Sequence, residues 1–296
     1  MAKVALLVVG RKGFLVLNSV IENYKSLISI VVGGRDSGID CDYFEEIREL
    51  CMDNNIPHQE RLAAHNLIGK FDGYILAIGW RWMLPANQSV IVIHDSLLPK
   101  YRGFAPLVNS LINGETEIGA TAFFAGEEYD NGKIIIQASK NISYPIKISD
   151  AIELMAHAYI QLVKNLFDLI KTGEKIESNL QNEELATYSL WRDLKDYMID
   201  WTKSADEIVR FVDAVGTPYL GARCLVNGQK AIVHSASVLP DLNIADRQSS
   251  LGKVLFVKNE NPVVVCTKGL ISIHQLTTEQ GENLLPLVKF RTRFSS

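Results

Sequence analysis

At 296 residues, 47% of them hydrophobic and 22% charged, the chain is too long for one ordinary hydrophobic core and too apolar to be disordered. Two domains, or one large domain with an appendage, are expected. The formal net charge of -4 excludes a general attraction to phosphate backbones or anionic membranes, so neither bulk nucleic acid nor a membrane surface is an expected partner.

The opening stretch, MAKVALLVVGRKGF, has a lysine ahead of a short apolar run and no small-residue cleavage site, so Lys3 to Val9 reads as a first strand rather than a signal peptide. No stretch reaches the roughly 18 apolar residues of a spanning helix, and the expected location is the cytoplasm. Helical spacing over Phe14 to Tyr24, the strand LISIVVGG, the helix YFEEIRELCMDNN and the strands YILAIGW and SVIVIH follow. These strands are continuously apolar, which implies a parallel sheet covered by helices on both faces, a doubly wound α/β domain.

Phe104 to Asn113 is expected as a short helix, and IGATAFFAGEEYDNGKIIIQ as two strands around a polar loop with a turn at Asn131-Gly132. Ser149 is expected to cap a long helix from about Asp150 to Lys171, ending at Gly173, with Ile152, Met155, Tyr159, Leu162, Leu166 and Ile170 along one stripe. That helix closes a first domain over residues 1–180. A polar linker over 181–203 leads to a second domain, 204–296. There the amphipathic run KSADEIVRFVDAVG precedes short, evenly spaced strands with an Asn227-Gly228 turn, the pattern of a small OB-like β-barrel. Cys41, Cys51, Cys224 and Cys266 lack CxxC spacing and fit reduced structural thiols rather than a zinc site or a disulfide frame.

The chemistry-bearing stretch is VIVIHDSLLPKYRG, residues 90 to 103. His94 stands at the carboxyl end of a buried strand, where ligands of open α/β sheets bind, and it shares a face with Val92. A histidine handles protons near neutral pH, although at a strand end it can equally donate to a backbone carbonyl. Asp130 is a carboxylate able to orient an imidazole, and it is also a residue that the turn sequence YDNG favours for its own sake.

The run HDSLLPKYRGFAPLVNSLINGETEIGAT, with DNG and KIIIQ after it, resembles the formyltransferases that use N10-formyltetrahydrofolate. Members share a Rossmann-like domain with an Asn-x-His pair, a SLLP loop and a later Asp-x-Gly. His94 matches the histidine, Ser96 to Pro99 the loop and Asp130 the aspartate. DWTKSADEIVRFV and the β-rich tail resemble the barrel domain of the methionyl-tRNA and aminosugar branches. The resemblance implies attack by a neutral amine on the formyl carbon, with His94 stabilising the oxyanion or shuttling a proton and Asp130 setting the protonation of His94. It implies no metal. The family asparagine falls on Val92, which has no donor, and loss of one such donor costs on the order of 100- to 1000-fold in rate. A protonated His94 with a backbone N–H is one substitute. A non-catalytic folate-binding homologue is the other reading.

For the acceptor amine, the net acidic charge disfavours methionyl-tRNA and the purine-pathway branch lacks the β tail, so a nucleotide-linked amino sugar of cell-surface polysaccharide biosynthesis is the expected substrate. The resemblance puts folate at Trp80, Arg81, Trp82 and Met83 of AIGWRWML and at the loop from Gly126 to Asp130; a tryptophan there is equally readable as core packing. Lys12 of GRKG, Ser96, Tyr101 and Arg102 are expected at the acceptor, with Arg102 either pairing with a diphosphate or bracing the loop against a carboxylate. The β tail is read as a homodimer surface or a second ligand site.

Overall fold

The computed structural model describes residues 3–36 and 41–296, with every side chain in those ranges except His65 and Gln88. Two compact units emerge. One holds the chain up to Pro106 with 117–141 and 153–189; the other holds 107–116, 142–152 and 190–296.

In the first unit β1 (Val4–Val8), β2 (Ile28–Gly33), β3 (His58–Glu60), β4 (Tyr74–Ile78) and β5 (Asn87–His94) pair in parallel. They are connected through α1 (Gly10–Tyr24), α2 (Phe44–Asp53) and α3 (Ala63–Leu67). After β5 come β6 (Arg102–Gly103), β7 (Glu117–Ala125), β8 (Ile134–Asn141) and β9 (Tyr188–Ser189); of the helices between them, all but the first residue of α4 (Pro106–Ile112) and the first residues of α5 (Ile148–Thr172) are counted with the other unit. The sheet order is β3-β2-β1-β4-β5-β7-β8, which puts the switch in winding direction between β1 and β4. Every residue of β1 is fully buried, each side chain contributing about 2 kcal/mol, and this explains the unbroken apolar run.

The parallel expectation is corrected at one edge. β7 runs antiparallel to β5, with His94 opposite Thr121, and β8 antiparallel to β7, with Thr121 opposite Gln137. A hairpin needs no crossover helix, so β7 and β8 lie side by side. α5 begins at Ile148, so Ser149 lies inside its first turn and is not the expected cap; the Lys147 carbonyl accepts from the N–H groups of Asp150 and Ala151 instead. Part of the stretch read as a linker, 181–189, belongs to the first unit, where β9 pairs in parallel with β6.

The second unit carries α6 (Ala205–Ala214), opened by a capping box between Ser204 and Glu207. Its strands are β10 (Ala222–Val226), β11 (Gln229–Leu239), β12 (Val254–Lys258), β13 (Asn261–Val265), β14 (Leu270–Thr278) and β15 (Phe294–Ser295), in the antiparallel order β12-β13-β14-β11-β10-β15. Asn227 and Gly228, at φ +50° and +88°, make the tight turn that their dipeptide demands. The sheet curls until a bridge between Lys253 and Arg293 and a 2.7 Å bond from Phe294 N–H to the Gly252 carbonyl join its two edges. The chain is therefore a Rossmann-like α/β unit with a C-terminal antiparallel half-barrel. Among the described residues, no helix is long and apolar enough to cross a membrane.

On the buried side of α6, Ile208, Val209 and Val212 are joined by Asp213, only 9% exposed. Burial raises its carboxyl to about 6, opposed by the Lys147 ammonium and reinforced by Asp150. A carboxyl whose folded value exceeds its unfolded one costs stability as pH rises from about 4 through 6. Asp213→Asn is expected to stabilise the protein by about 1–2 kcal/mol near pH 8, with the gain vanishing near pH 4; thermal denaturation at the two pH values measures it.

Candidate active site

Val90, Val92 and His94 alternate onto one face of β5. Val90 belongs to an apolar cluster with Ala5, Leu7, Val32, Ala64, Ile75 and Ala77, and Val92 and Trp80 pack against that cluster. His94, where the strand ends, uses both ring nitrogens. Nε2 lies 2.8 Å from the Tyr101 carbonyl oxygen, which can only accept, so Nε2 carries a proton. Nδ1 lies 3.5 Å from Asp130 Oδ2, so the carboxylate faces the second site of an imidazolium charge. His94 thus donates to a backbone carbonyl and faces a carboxylate at the same time.

Asp130 reaches this position from the β7–β8 loop. Its backbone is left-handed, φ +52°, and its Oδ2 accepts a 2.7 Å bond from the Gly103 N–H. The loop folds tightly: a Cβ on Gly132 would sit 1.7 Å from the Phe124 carbonyl oxygen, and one on Gly126 would sit 2.2 Å from Asn131 Oδ1. Position 132 therefore demands glycine, since its clash is with backbone, whereas at 126 the Asn131 side chain would have to move.

The loop after His94 is held by the antiparallel edge. Thr121 Oγ1 donates to the Ser96 carbonyl (2.7 Å) and accepts from the Leu98 N–H (3.1 Å), while Gln137 Nε2 donates to Thr121 Oγ1 and the Leu98 carbonyl. Ser96 is buried and donates its hydroxyl to the Lys100 carbonyl at 2.7 Å, so its expected substrate role is corrected to holding the loop. For Arg102 the geometry matches the second of its two readings, bracing against a carboxylate. Its guanidinium is 0% exposed, donating twice to Gln181 Oε1 (3.0 and 2.8 Å), to both carboxylate oxygens of Glu183 (2.8 and 2.7 Å) and to the Tyr188 hydroxyl (3.2 Å). No donor is left for a diphosphate.

Lys12 is committed as well: its ammonium pairs with Asp95 and stands 5.1 Å above the Tyr159 ring. Burial pushes the Asp95 carboxyl up, but the Lys12 ammonium and the Tyr159 hydroxyl outweigh it and hold the group below the ordinary range. Burial and the Asp95 charge in turn push the Tyr159 phenol well above its ordinary value. Tyr101 does come to His94, through its backbone, at φ +58°.

In the expected folate segment, the Trp80 and Trp82 rings meet edge to face at 4.9 Å, and the Trp80 Nε1 is buried with no partner among the described residues. Trp82 lies against Gly34 and under the Arg61 guanidinium. Arg81 pairs with Asp36 at 3.1 Å, and Met83 is 60% exposed. The structure thus brings together His94, Asp130 and the Tyr101 carbonyl, puts Trp80 against the cluster that also carries Val92, turns the Ser96 hydroxyl and the Arg102 guanidinium to protein partners, and pairs Lys12 with Asp95. Sequence reasoning missed Thr121, Gln137, Asp95 and Gln181. The alternation of β7 and β8 exposes the first two to pattern reading; nothing local marks Gln181.

Comparison with known proteins completes the assignment. Residues 70–159 match the formyl transferase family and residues 193–289 the formyl transferase C-terminal domain, together more than half of the chain. The chain belongs to the formyl transferase family. A methionyl-tRNA formyltransferase of Geobacter sulfurreducens is 29% identical over 226 residues, covering 74% of this chain and 68% of the relative. One of Fusobacterium nucleatum is 25% identical over 254 residues, covering 81% and 80%. Two solved structures share the formyltransferase fold. WlaRD, a sugar 3N-formyl transferase crystallised with dTDP and 5-N-formyl-THF, has a TM-score of 0.68 at 18% identity, covering 93% of this chain and 97% of its own. An N-formyltransferase from Helicobacter canadensis, in complex with folinic acid and dTDP-3-aminofucose, has a TM-score of 0.69 at 16% identity, covering 93% and 99%.

Because the Arg102 fork is fully engaged, Arg102→Lys, which keeps the charge and loses the fork, is expected to cost about 2 kcal/mol in urea unfolding.

Proposed function

We propose that this formyltransferase moves a formyl group from N10-formyltetrahydrofolate to the amine of a nucleotide-linked amino sugar. The observation that carries the reading is the approach of His94 Nδ1 to Asp130 Oδ2 at 3.5 Å on the face of β5 that Val92 shares. Attack of the amine on the formyl carbon puts negative charge on the formyl oxygen, and leaving of the folate nitrogen requires a proton. His94 supplies positive charge or the proton, and Asp130 compensates the imidazolium and accepts from the amine side. The pteridine is assigned to the Trp80–Met83 segment and the Gly126–Asp130 loop, where the unpartnered Trp80 indole N–H offers a ring system a buried donor.

With Ser96, Lys12 and Arg102 engaged elsewhere, the acceptor is assigned to Tyr101 and to the exposed rings of Phe104 and Tyr129, 6.3 Å apart. Each ring is next in sequence to a member of the Gly103–Asp130 hydrogen bond, and aromatic faces suit a nucleobase. Support for an amino-sugar acceptor comes from the acidic net charge and from the ligands in the two sugar-transferase structures of the same fold. Methionyl-tRNA is the second reading, favoured by the names of the sequence relatives. A cytoplasmic setting, where formyl-folate and nucleotide sugars are made, suits either acceptor.

Mass spectrometry of products from a panel of UDP- and dTDP-linked 3- and 4-amino sugars, run beside initiator methionyl-tRNA, tests the choice. Formylated sugar is the expected product; formylated tRNA alone would establish the second reading. His94→Asn and Asp130→Asn are each expected to lower kcat by at least about 100-fold with an unchanged Tm. Val92→Asn restores the family's amide donor and is expected to raise kcat by about 10-fold or more in steady-state assays.

A further inference from the structure

We propose that residues 179–189 form a strap that positions the His94 imidazole, with Gln181 and Thr187 as its positioning residues. The inference rests on His94 and Asp130 being the working pair. The two ring nitrogens of His94 have separate partners, the Tyr101 carbonyl and the Asp130 carboxylate, and the strap holds both of them.

On the Nε2 side, Thr187 Oγ1 accepts the Tyr101 N–H at 2.9 Å, the Thr187 carbonyl accepts the Arg102 N–H at 2.8 Å, and the Thr187 N–H donates to the Pro99 carbonyl at 3.2 Å. On the Nδ1 side, Gln181 Nε2 donates to the carbonyls of Asp130 (2.7 Å) and Gly132 (2.8 Å). Arg102 ties the halves together. It donates to Gln181 Oε1 from within the strap's grip, while its neighbour Gly103 gives its N–H to Asp130 Oδ2.

The Gln181 amide is saturated: two N–H groups reach two carbonyls and its oxygen takes two guanidinium N–H groups. A solvent-facing linker glutamine needs no such arrangement. Tyr101 and Asp130 are both non-glycine residues at positive φ, +58° and +52°, a conformation that surroundings must impose. The strap bonds to the backbone of each of them. Its function is to fix which nitrogen of His94 bears the proton and how closely the carboxylate approaches the other one.

The test uses ring-15N histidine NMR of the full chain, with the His94 signal among the six histidines identified by its loss in His94→Asn. In the wild type Nε2 is expected to carry a proton uniformly. Gln181→Leu and Thr187→Val are expected to yield mixed tautomers, with kcat about 10- to 100-fold lower and the formyl-donor KM within about two-fold; Thr187→Ser, which keeps the hydroxyl, is expected to restore both. Tyr24→Phe removes a 2.8 Å bond to Asp168 between α1 and α5 and controls for destabilisation, with an unchanged His94 tautomer expected. An unaltered His94 spectrum in folded Gln181→Leu and Thr187→Val, or the same change in Tyr24→Phe, would overturn the strap. Should Gln181→Leu not fold, Thr187→Val decides alone. If no acceptor is formylated by the wild type, the acceptor reading fails, and the tautomer spectra still decide the strap.

Discussion

The contact between the His94 imidazole and the Asp130 carboxylate joins the end of a parallel strand to the loop of an antiparallel hairpin, and neither element makes it alone. The strand fixes the height and face of the histidine by alternation. The hairpin delivers the aspartate with a left-handed backbone and with a glycine at 132, where any Cβ would collide with the Phe124 carbonyl. Everything polar around the pair serves to make that geometry the low-energy one.

A cluster of residues with catalytic chemistry therefore turns out to be largely scaffold. The Ser96 hydroxyl and the Arg102 guanidinium lie close in sequence to His94 and give their hydrogen bonds to the protein, and the Lys12 ammonium pairs with Asp95. Burying a guanidinium is costly unless every donor is matched, and Arg102 matches its donors with an amide, a carboxylate and a phenol. Such a fully satisfied network resists rearrangement, which a transfer between two bound substrates requires of its centre.

Val92 shows the same logic in reverse. On a face otherwise built from Val90 and Trp80, a valine continues the apolar packing, whereas the family asparagine would bring a donor to the reacting oxygen. In the proposed mechanism the burden shifts to the His94 imidazole, and so to the groups that keep it oriented.

Local pattern determined much of this protein. Continuous apolar runs marked β1, β2, β4 and β5, Asn-Gly marked the β10–β11 turn, and helical spacing marked α6, while the His94–Asp130 pair was named only through the family resemblance. The runs, the turn and the helix are legible because they arise from neighbours within a few residues. The antiparallel edge, the start of α5 at Ile148 and the hydrogen bonds from Gln181 and Thr187 to the loops of Asp130 and Tyr101 were decided by tertiary structure. Whether a serine or an arginine faces a ligand or a carbonyl depends on partners many residues away, such as Gln181 and Glu183 for Arg102. Hydrogen-bond matching among buried groups is set by three-dimensional packing, and no periodicity in the chain encodes it.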